Sequence, residues 1–398
     1  MRIVSSATPA VSTEYELLPF LVAQADNSKN PVAVWRLPGS ATTHIILADT
    51  YCEVDADQML EEMDSGFLFA PFDRQNQRLF IAAQRMFVFE GGKLQPAATD
   101  EEEAGLEWLA KTDRDLPLPQ QSKDNALSSP ATSTNQQQFV GIVNAAIDEI
   151  RRGTFEKVVP SRAINVSLPA DFDIVAAFRK LAARYPEALI SFVSIPGVGR
   201  WLGASPEVLI QVKDKKIFRT VALAGTQAWR PGVDPRKVSW TQKEIEEQAL
   251  VERYIISCFK SVRLREYEEQ GPRTVVAGNL MHLKSEFTVD MEATAFPLIG
   301  SVMLRLLHPT SAVCGMPLNA SLEFLKRNEG YDREFYAGYL GPVNINNNIE
   351  LFVNLRCMQV RGDEGILYAG AGVTADSDPE KEWLETEMKL NTLLNIIL

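Results

Sequence analysis

The stretch ILYAGAGVTADSDPEKEWLETEMKL, residues 366–390, changes character twice along its length. A short apolar run at 366–368 enters a glycine turn, Gly370-Ala371-Gly372, and a helix is predicted to begin at Ser377-Asp378-Pro379. Ser377 with Glu380 fits a capping box, while Asp378 before Pro379 fits a cap with proline at the first helical position. The start is therefore set, and the capping residue is left between the two. Helical spacing puts Asp378, Glu382, Glu385 and Lys389 on one stripe, directly after a loop of exposed backbone amides. That combination suits a metal ion held together with an anionic small molecule. It equally fits a solvated face with weak ion pairs, and spacing alone leaves both open. GAGVTA also matches the G-x-G-x-x-A dinucleotide fingerprint. That fingerprint needs a βαβ unit with an acidic residue beyond it, for which the residues after Gly372 leave no room.

Upstream, a strand is expected at 351–360, folded back by the turn Arg361-Gly362-Asp363-Glu364-Gly365 onto 366–368. Arg356 then lies on the strand beside the one feeding the Gly370 turn, where an arginine can clamp a carboxylate bidentately. Thr241 with Glu244 gives a capping box for a long helix through Phe259. The acids Glu244, Glu246 and Glu247 in its first turns favour the helix dipole. The functional alternative is that Glu247, with Glu244 a turn away, faces Glu382 and Glu385 across a cavity around one Mg²⁺. In the strand expected at 156–166, alternation puts Lys157, Val159 and Ser161 on one face, with Pro160 marking an edge or bulge. A lysine there also reads as an edge-strand guard against aggregation. Ala204-Ser205-Pro206 is a turn that sets Glu207 at a strand start. The run Ala222-Leu223-Ala224-Gly225-Thr226 lets backbone approach a ligand closely.

The first 110 residues carry strand-like runs at 17–23, 32–37, 44–48, 66–71 and 79–89. Residues 116–138 lack aromatics and are rich in Pro, Ser, Thr, Gln and Asn, as in a flexible loop. Helices are expected from Phe139 to Ile150, at 174–184 and at 295–306, with strands at 188–195, 201–203, 207–212 and 217–223. The 398 residues are 45% hydrophobic, ample for a large core, and carry a net charge of −12 with no basic block. Nucleic acid and anionic membranes are poor partners for such a chain, and an anionic substrate would need locally gathered cations. The four cysteines are scattered without a C-x-x-C pair, and no apolar stretch is long enough to span a bilayer. A soluble cytoplasmic protein is the expectation.

Eight segments in order resemble the chorismate-utilising enzymes: isochorismate and salicylate synthases and the large subunits of anthranilate and aminodeoxychorismate synthases. They are EKVVPSR (156–162), GASPE (203–207), LAGT (223–226), KEIEEQALV (243–251), LLHPTSAVCGMP (306–317), DREFYAGYLG (332–341), VNLR (353–356) and YAGAGVTADSDPEKEWLETEMKL (368–390). The resemblance implies a mixed α+β fold of stacked antiparallel sheets in a core surrounded by helices. Residues 139–398 would form the catalytic region and 1–115 a variable part of the same β-rich core, joined through 116–138. It further implies Glu247 and Glu385 as Mg²⁺ ligands, supported by Glu244 and Glu382. Glu207 would be the general acid for the departing C4 hydroxyl, and Lys157 the base that activates water at C2. Ala224, Gly225, Thr226, His308, Ala312, Tyr336, Leu355, Arg356, Gly370 and Lys389 would line the chorismate site.

Lys157 and Ala224 resemble the water-using branch, because the ammonia-using subunits usually have Gln at the first position and aminodeoxychorismate synthases often have Lys at the second. Ala312 resembles isochorismate synthases, where salicylate synthases tend to have Thr. The implied activity is Mg²⁺-dependent conversion of chorismate to isochorismate by a monomer or weak homodimer, with no obligatory glutaminase subunit. Salicylate synthesis is the runner-up, followed by an anthranilate synthase subunit or a silent chorismate-binding protein. Gln248 stands where the family commonly has His, and Gln227-Ala228-Trp229 and the segment HLKSEFT (282–288) also depart from its pattern.

Overall fold

The computed structural model describes residues 13–112, 133–229, 232, 234–277 and 280–398. Most of the expected flexible loop, 116–132, lies outside these residues. Its last part is helical: Gln136–Arg151 starts three positions before Phe139, because Asn135 and Gln138 cap each other's backbone amides reciprocally.

Among the described residues, two nine-stranded antiparallel sheets form the molecule's centre. The first runs, in spatial order, Lys93–Leu94, Arg85–Glu90, Thr42–Leu47, Val32–Arg36, Leu189–Ile195, Gly199–Ser205, Cys357–Arg361, Glu364–Gly370, Ser161–Ser167. The second runs Glu268–Ala277, Leu280–Asp290, Ile217–Ala228, Val208–Lys213, Ile349–Val353, Tyr339–Val343, Gly66–Ala70, Arg78–Ala82, Cys52–Val54. Early strands extend both sheets, since Val32–Arg36 pairs with Leu189–Ile195 and Gly66–Ala70 with Tyr339–Val343.

Alternation along the first sheet shows why its strands read as nearly continuous apolar runs. Ala33, Trp35, Ile46, Trp201, Ile366 and Tyr368 point into the core between the sheets. Their neighbours Val32, Val34, Ile45, Leu47, Leu202, Leu367 and Ala369 point outward under helices Glu14–Ser28, Ile174–Arg184 and Pro379–Ile397. Both faces of that sheet are buried, so neither needs polar residues. The second sheet is backed by Gln242–Ser261, whose Val251, Ile255 and Phe259 pack with Phe218 and Phe287. The architecture is thus mixed α+β, stacked antiparallel sheets with helices outside.

Several local expectations are corrected. Residues 17–23 belong to helix Glu14–Ser28, not a strand: Thr13 and Glu16 form its capping box, and Leu17, Leu18, Leu21, Val22 and Ala25 recur at helical spacing. Pro19 inside that helix withholds the amide that would bond the Tyr15 carbonyl, and Arg179 donates to that carbonyl instead at 3.0 Å. Residues 79–89 are two strands, Arg78–Ala82 and Arg85–Glu90, in different sheets. The helix expected at 295–306 is Ile299–Leu307; Ala295 has φ 49° in the preceding turn.

The expected strand 351–360 is also two strands, Ile349–Val353 in the second sheet and Cys357–Arg361 in the first. Between them the chain changes sheets through Asn354-Leu355-Arg356, so Arg356 sits at the crossover and not on a strand. The hairpin Cys357–Arg361 with Glu364–Gly370 is present as expected, with Met358 opposite Leu367. Residues 156–166 break likewise into Lys157–Val158, which pairs with Gly315–Met316, and Ser161–Ser167. Lys157 is fully buried, not an exposed edge lysine.

Candidate active site

Two sheet crossovers lie side by side. The chain leaves Gly199–Ser205 of the first sheet through Pro206-Glu207 to enter Val208–Lys213 of the second, and makes the reverse change at Asn354-Leu355-Arg356. Ser205 Oγ donates to the Val353 carbonyl at 2.5 Å, Val353 N to the Glu207 carbonyl at 3.0 Å, and Ala204 N to the Arg356 carbonyl at 3.0 Å. These bonds hold Arg356 at φ 48°, a left-handed conformation that disfavours residues with a Cβ. The seam opens into a pocket lined by both polar and apolar side chains. Glu207 and Arg356 both line it.

Three further walls close the site, two of them bringing charge. Helix Pro379–Ile397 is capped by Asp378, whose Oδ1 accepts from Glu380 N and Lys381 N at 3.0 and 3.3 Å, and it presents Glu385 and Lys389 to the cavity. Lys389 Nζ donates to Glu385 Oε1 at 2.7 Å and to the Gly370 carbonyl at 2.8 Å, fixing the helix to the glycine turn. Glu247, from helix Gln242–Ser261, faces the same cavity. Behind it, Lys157 Nζ is 2.9 Å from Glu247 Oε1, an ion pair outside directional hydrogen-bond geometry. Gly372 makes room for this pair: a methyl there would overlap Glu247 Oε1 and come within 3.2 Å of Lys157 Cε. The third wall is a bulge in Ile217–Ala228, where Gly225 at φ 68° brings Ala224, Gly225 and Thr226 to the lining. Ala312, Tyr336 and Leu355 complete the enclosure, Tyr336 stacking on Tyr368 with centroids 5.1 Å apart.

Electrostatics separates the acids. Burial pushes the Glu207 carboxyl up to about 7, against the pull of Lys157, Lys389 and Arg356 and of the Thr310 hydroxyl. Burial also opposes ionisation of Glu247, but Lys157, Lys243 and Lys389 outweigh it and hold that carboxyl below its ordinary value. Glu382, behind the cavity and paired with Lys243, is raised to about 7 by burial and by Glu385. Among the described residues, no three His, Cys, Asp or Glu side chains are drawn together as a metal cluster. Each carboxylate leans on a lysine instead: Glu247 on Lys157, Glu382 on Lys243 and Glu385 on Lys389. Glu382 Oε2 is buried without a hydrogen-bond partner. Hard carboxylate oxygens around a polar cavity, one of them orphaned, fit a small divalent cation of the Mg²⁺ type.

Two residues expected here are placed elsewhere. His308 is buried against Tyr339 with Nε2 3.1 Å from the Pro71 carbonyl, and lines a different cavity beside Arg74 and Arg78. Glu244 turns to its own helix end, where Oε2 accepts from Thr241 N and Oγ1 at 2.7 Å and from Gln227 Nε2 at 3.3 Å. Conversely, His282 lines the cavity although it was not among the expected site residues. Its Nδ1 is 2.8 Å from the Gly225 carbonyl, which assigns the proton to Nδ1. Burial, with Arg356 nearby, lowers its pKa to about 3, leaving a neutral ring with an unpartnered Nε2. Gln248 spends its Nε2 on the Ala222 carbonyl and Glu252, at 3.3 and 3.2 Å.

With this geometry in place, residues 72–398 match the family described as chorismate binding enzyme, and the chain belongs to that family. The isochorismate synthase EntC of Escherichia coli K12 is 30% identical over 246 residues, which span 61% of this chain and 62% of EntC. The vibriobactin-specific isochorismate synthase of Vibrio cholerae is 24% identical over 395 residues, covering 96% of this chain and 92% of its own length. A putative 2,3-dihydroxybenzoate-specific isochorismate synthase from Bacillus anthracis superposes with a TM-score of 0.71 at 21% identity, over 95% of this chain and 99% of its own. Among the described residues, no helix is long and apolar enough to cross a membrane.

Proposed function

We propose that this protein is an isochorismate synthase that, with Mg²⁺, adds water at C2 of chorismate and expels the C4 hydroxyl. The observation that carries the reading is Glu207: a carboxyl held near neutral pKa, lining a cavity that otherwise gathers cations and ionised carboxylates. Expulsion of hydroxide without a proton is prohibitively slow, and a buried carboxylic acid at that position supplies one. Lys157, buried beside Glu247, is assigned the base that takes the proton of the attacking water, a role it fills as the neutral amine after the ammonium of the ion pair has given up its proton. Arg356, Lys389 and the backbone around Gly225 and Gly370 hold the substrate carboxylates. Glu247 and Glu385, with Glu382 behind them, would hold the cation; Glu244 is left out because its carboxylate is committed to the helix cap. When bound, Mg²⁺ supplies charge neutralisation and polarisation of the ring carboxylate.

Similarity to two isochorismate synthases covering nearly the whole chain supports this choice among chorismate reactions. Incubating the protein with chorismate and Mg²⁺, with and without ammonium, tests it. Isochorismate in both arms is the expected result. Salicylate with pyruvate, an aminated product, or unchanged chorismate would each replace it with another reading.

A further inference from the structure

Lys243 has no part in the chemistry proposed above, yet it stands in the first turn of Gln242–Ser261 and pairs with Glu382, in the first turn of Pro379–Ile397. Glu382's side chain is 1% exposed and Lys243's 26%, so the ammonium plugs the acidic cluster from its solvent side. Three carboxylates from two helices face it: Glu382 by contact, and Glu247 and Glu385 by proximity. Lys157 and Lys389 also neutralise these acids, but both have substrate-directed roles. Glu382 Oε2 is buried beneath the pair without a hydrogen-bond partner.

We infer that Lys243 is a built-in counter-ion of the metal site: it holds the carboxylate cluster together when the cation is absent and keeps cation affinity low by opposing its charge. This rests on the reading that Glu247, Glu385 and Glu382 bind a divalent cation. A buried acid cluster without compensation is costly, and a tethered ammonium relieves it. The same positive charge then repels an entering dication over a few ångströms of poorly screened space.

Calorimetric titration of the full chain with MgCl₂ tests this in wild type, Lys243→Gln and Lys243→Arg. Gln keeps a donor for Glu382 while removing the charge, and Arg keeps the charge. Removing one unit charge next to a dication is expected to tighten Mg²⁺ binding about tenfold or more in Lys243→Gln, with Lys243→Arg close to wild type. In thermal melts, metal-free Lys243→Gln should be less stable than wild type and gain more from added Mg²⁺. Equal or weaker Mg²⁺ binding by Lys243→Gln, with wild type binding normally, overturns the role of Lys243 and leaves the metal site standing. No Mg²⁺ binding by any of the three, with or without chorismate, overturns the metal reading together with it.

Discussion

Glu207 shows how position alone sets the ionisation of a carboxyl. An ordinary glutamate titrates near 4.5; here burial raises the carboxyl to about 7. In its proposed role as the acid for the departing hydroxyl it must be protonated, so kcat/KM should fall as pH rises through about 7. Glu207→Gln should cost about 10²- to 10⁴-fold in kcat. The stability effect has the opposite sign. A carboxyl whose folded pKa lies above its unfolded value stabilises the fold at low pH, and that contribution is lost between about 4.5 and 7. Glu207→Gln should therefore melt higher than wild type at pH 8, by up to about 3 kcal/mol of stability, and not at pH 4.5. Steady-state pH profiles and melts at the two pH values check both halves. Lys157, Glu207, Glu247 and Glu385 were legible in the sequence because each sits in an ordered motif. His282 was not, because a histidine within a strand's alternation looks like any half-buried polar residue. His308 sits in a family-like motif, but its side chain turns to the Pro71 carbonyl, a choice made by packing.

At the scale of elements, turns and helix starts carry the site. Gly372 faces the Lys157–Glu247 pair without a Cβ, and Gly372→Ala should displace Glu247. Because the atoms it meets are ends of side chains, turnover should drop at least tenfold, on the order of 1.4 kcal/mol in the barrier, while the melting temperature moves little. Asp378→Ala removes the cap from the helix carrying Glu382, Glu385 and Lys389, and should cost about 1 kcal/mol in denaturant unfolding. The start of that helix was readable from Asp378-Pro379, with Ser377 instead accepting from Thr374 N. Residues 17–23 misled because apolar residues at adjacent and alternate positions satisfy strand and helix spacing over so short a run. The break between Ile349–Val353 and Cys357–Arg361 had no local signal. Arg356 takes a left-handed conformation without glycine, held by the Ala204 amide from a strand about 150 residues earlier in the chain.

Across the whole molecule, two sheets share strands from early and late sequence, and the site forms where two chain segments change sheets. In that arrangement Glu247, Glu382 and Glu385 each pair with a lysine, which compensates their charge within the fold. Removing divalent ions with a chelator should therefore abolish turnover while leaving a cooperative melt near that of untreated protein, and Mg²⁺ should restore activity. Periodicity and composition conveyed a large acidic α+β chain with a buried core. The pairing of sheets, and so the meeting of Glu207 with Arg356, depended on contacts spanning some 150 residues, which no local pattern encodes. The central claim is that water enters at C2 while Glu207 releases the C4 hydroxyl. Mass spectrometry of the product formed from chorismate and Mg²⁺ in oxygen-18 water measures this directly. Isochorismate carrying a single heavy oxygen at C2 is the expected outcome. Unlabelled isochorismate, or no isochorismate at all, would contradict it.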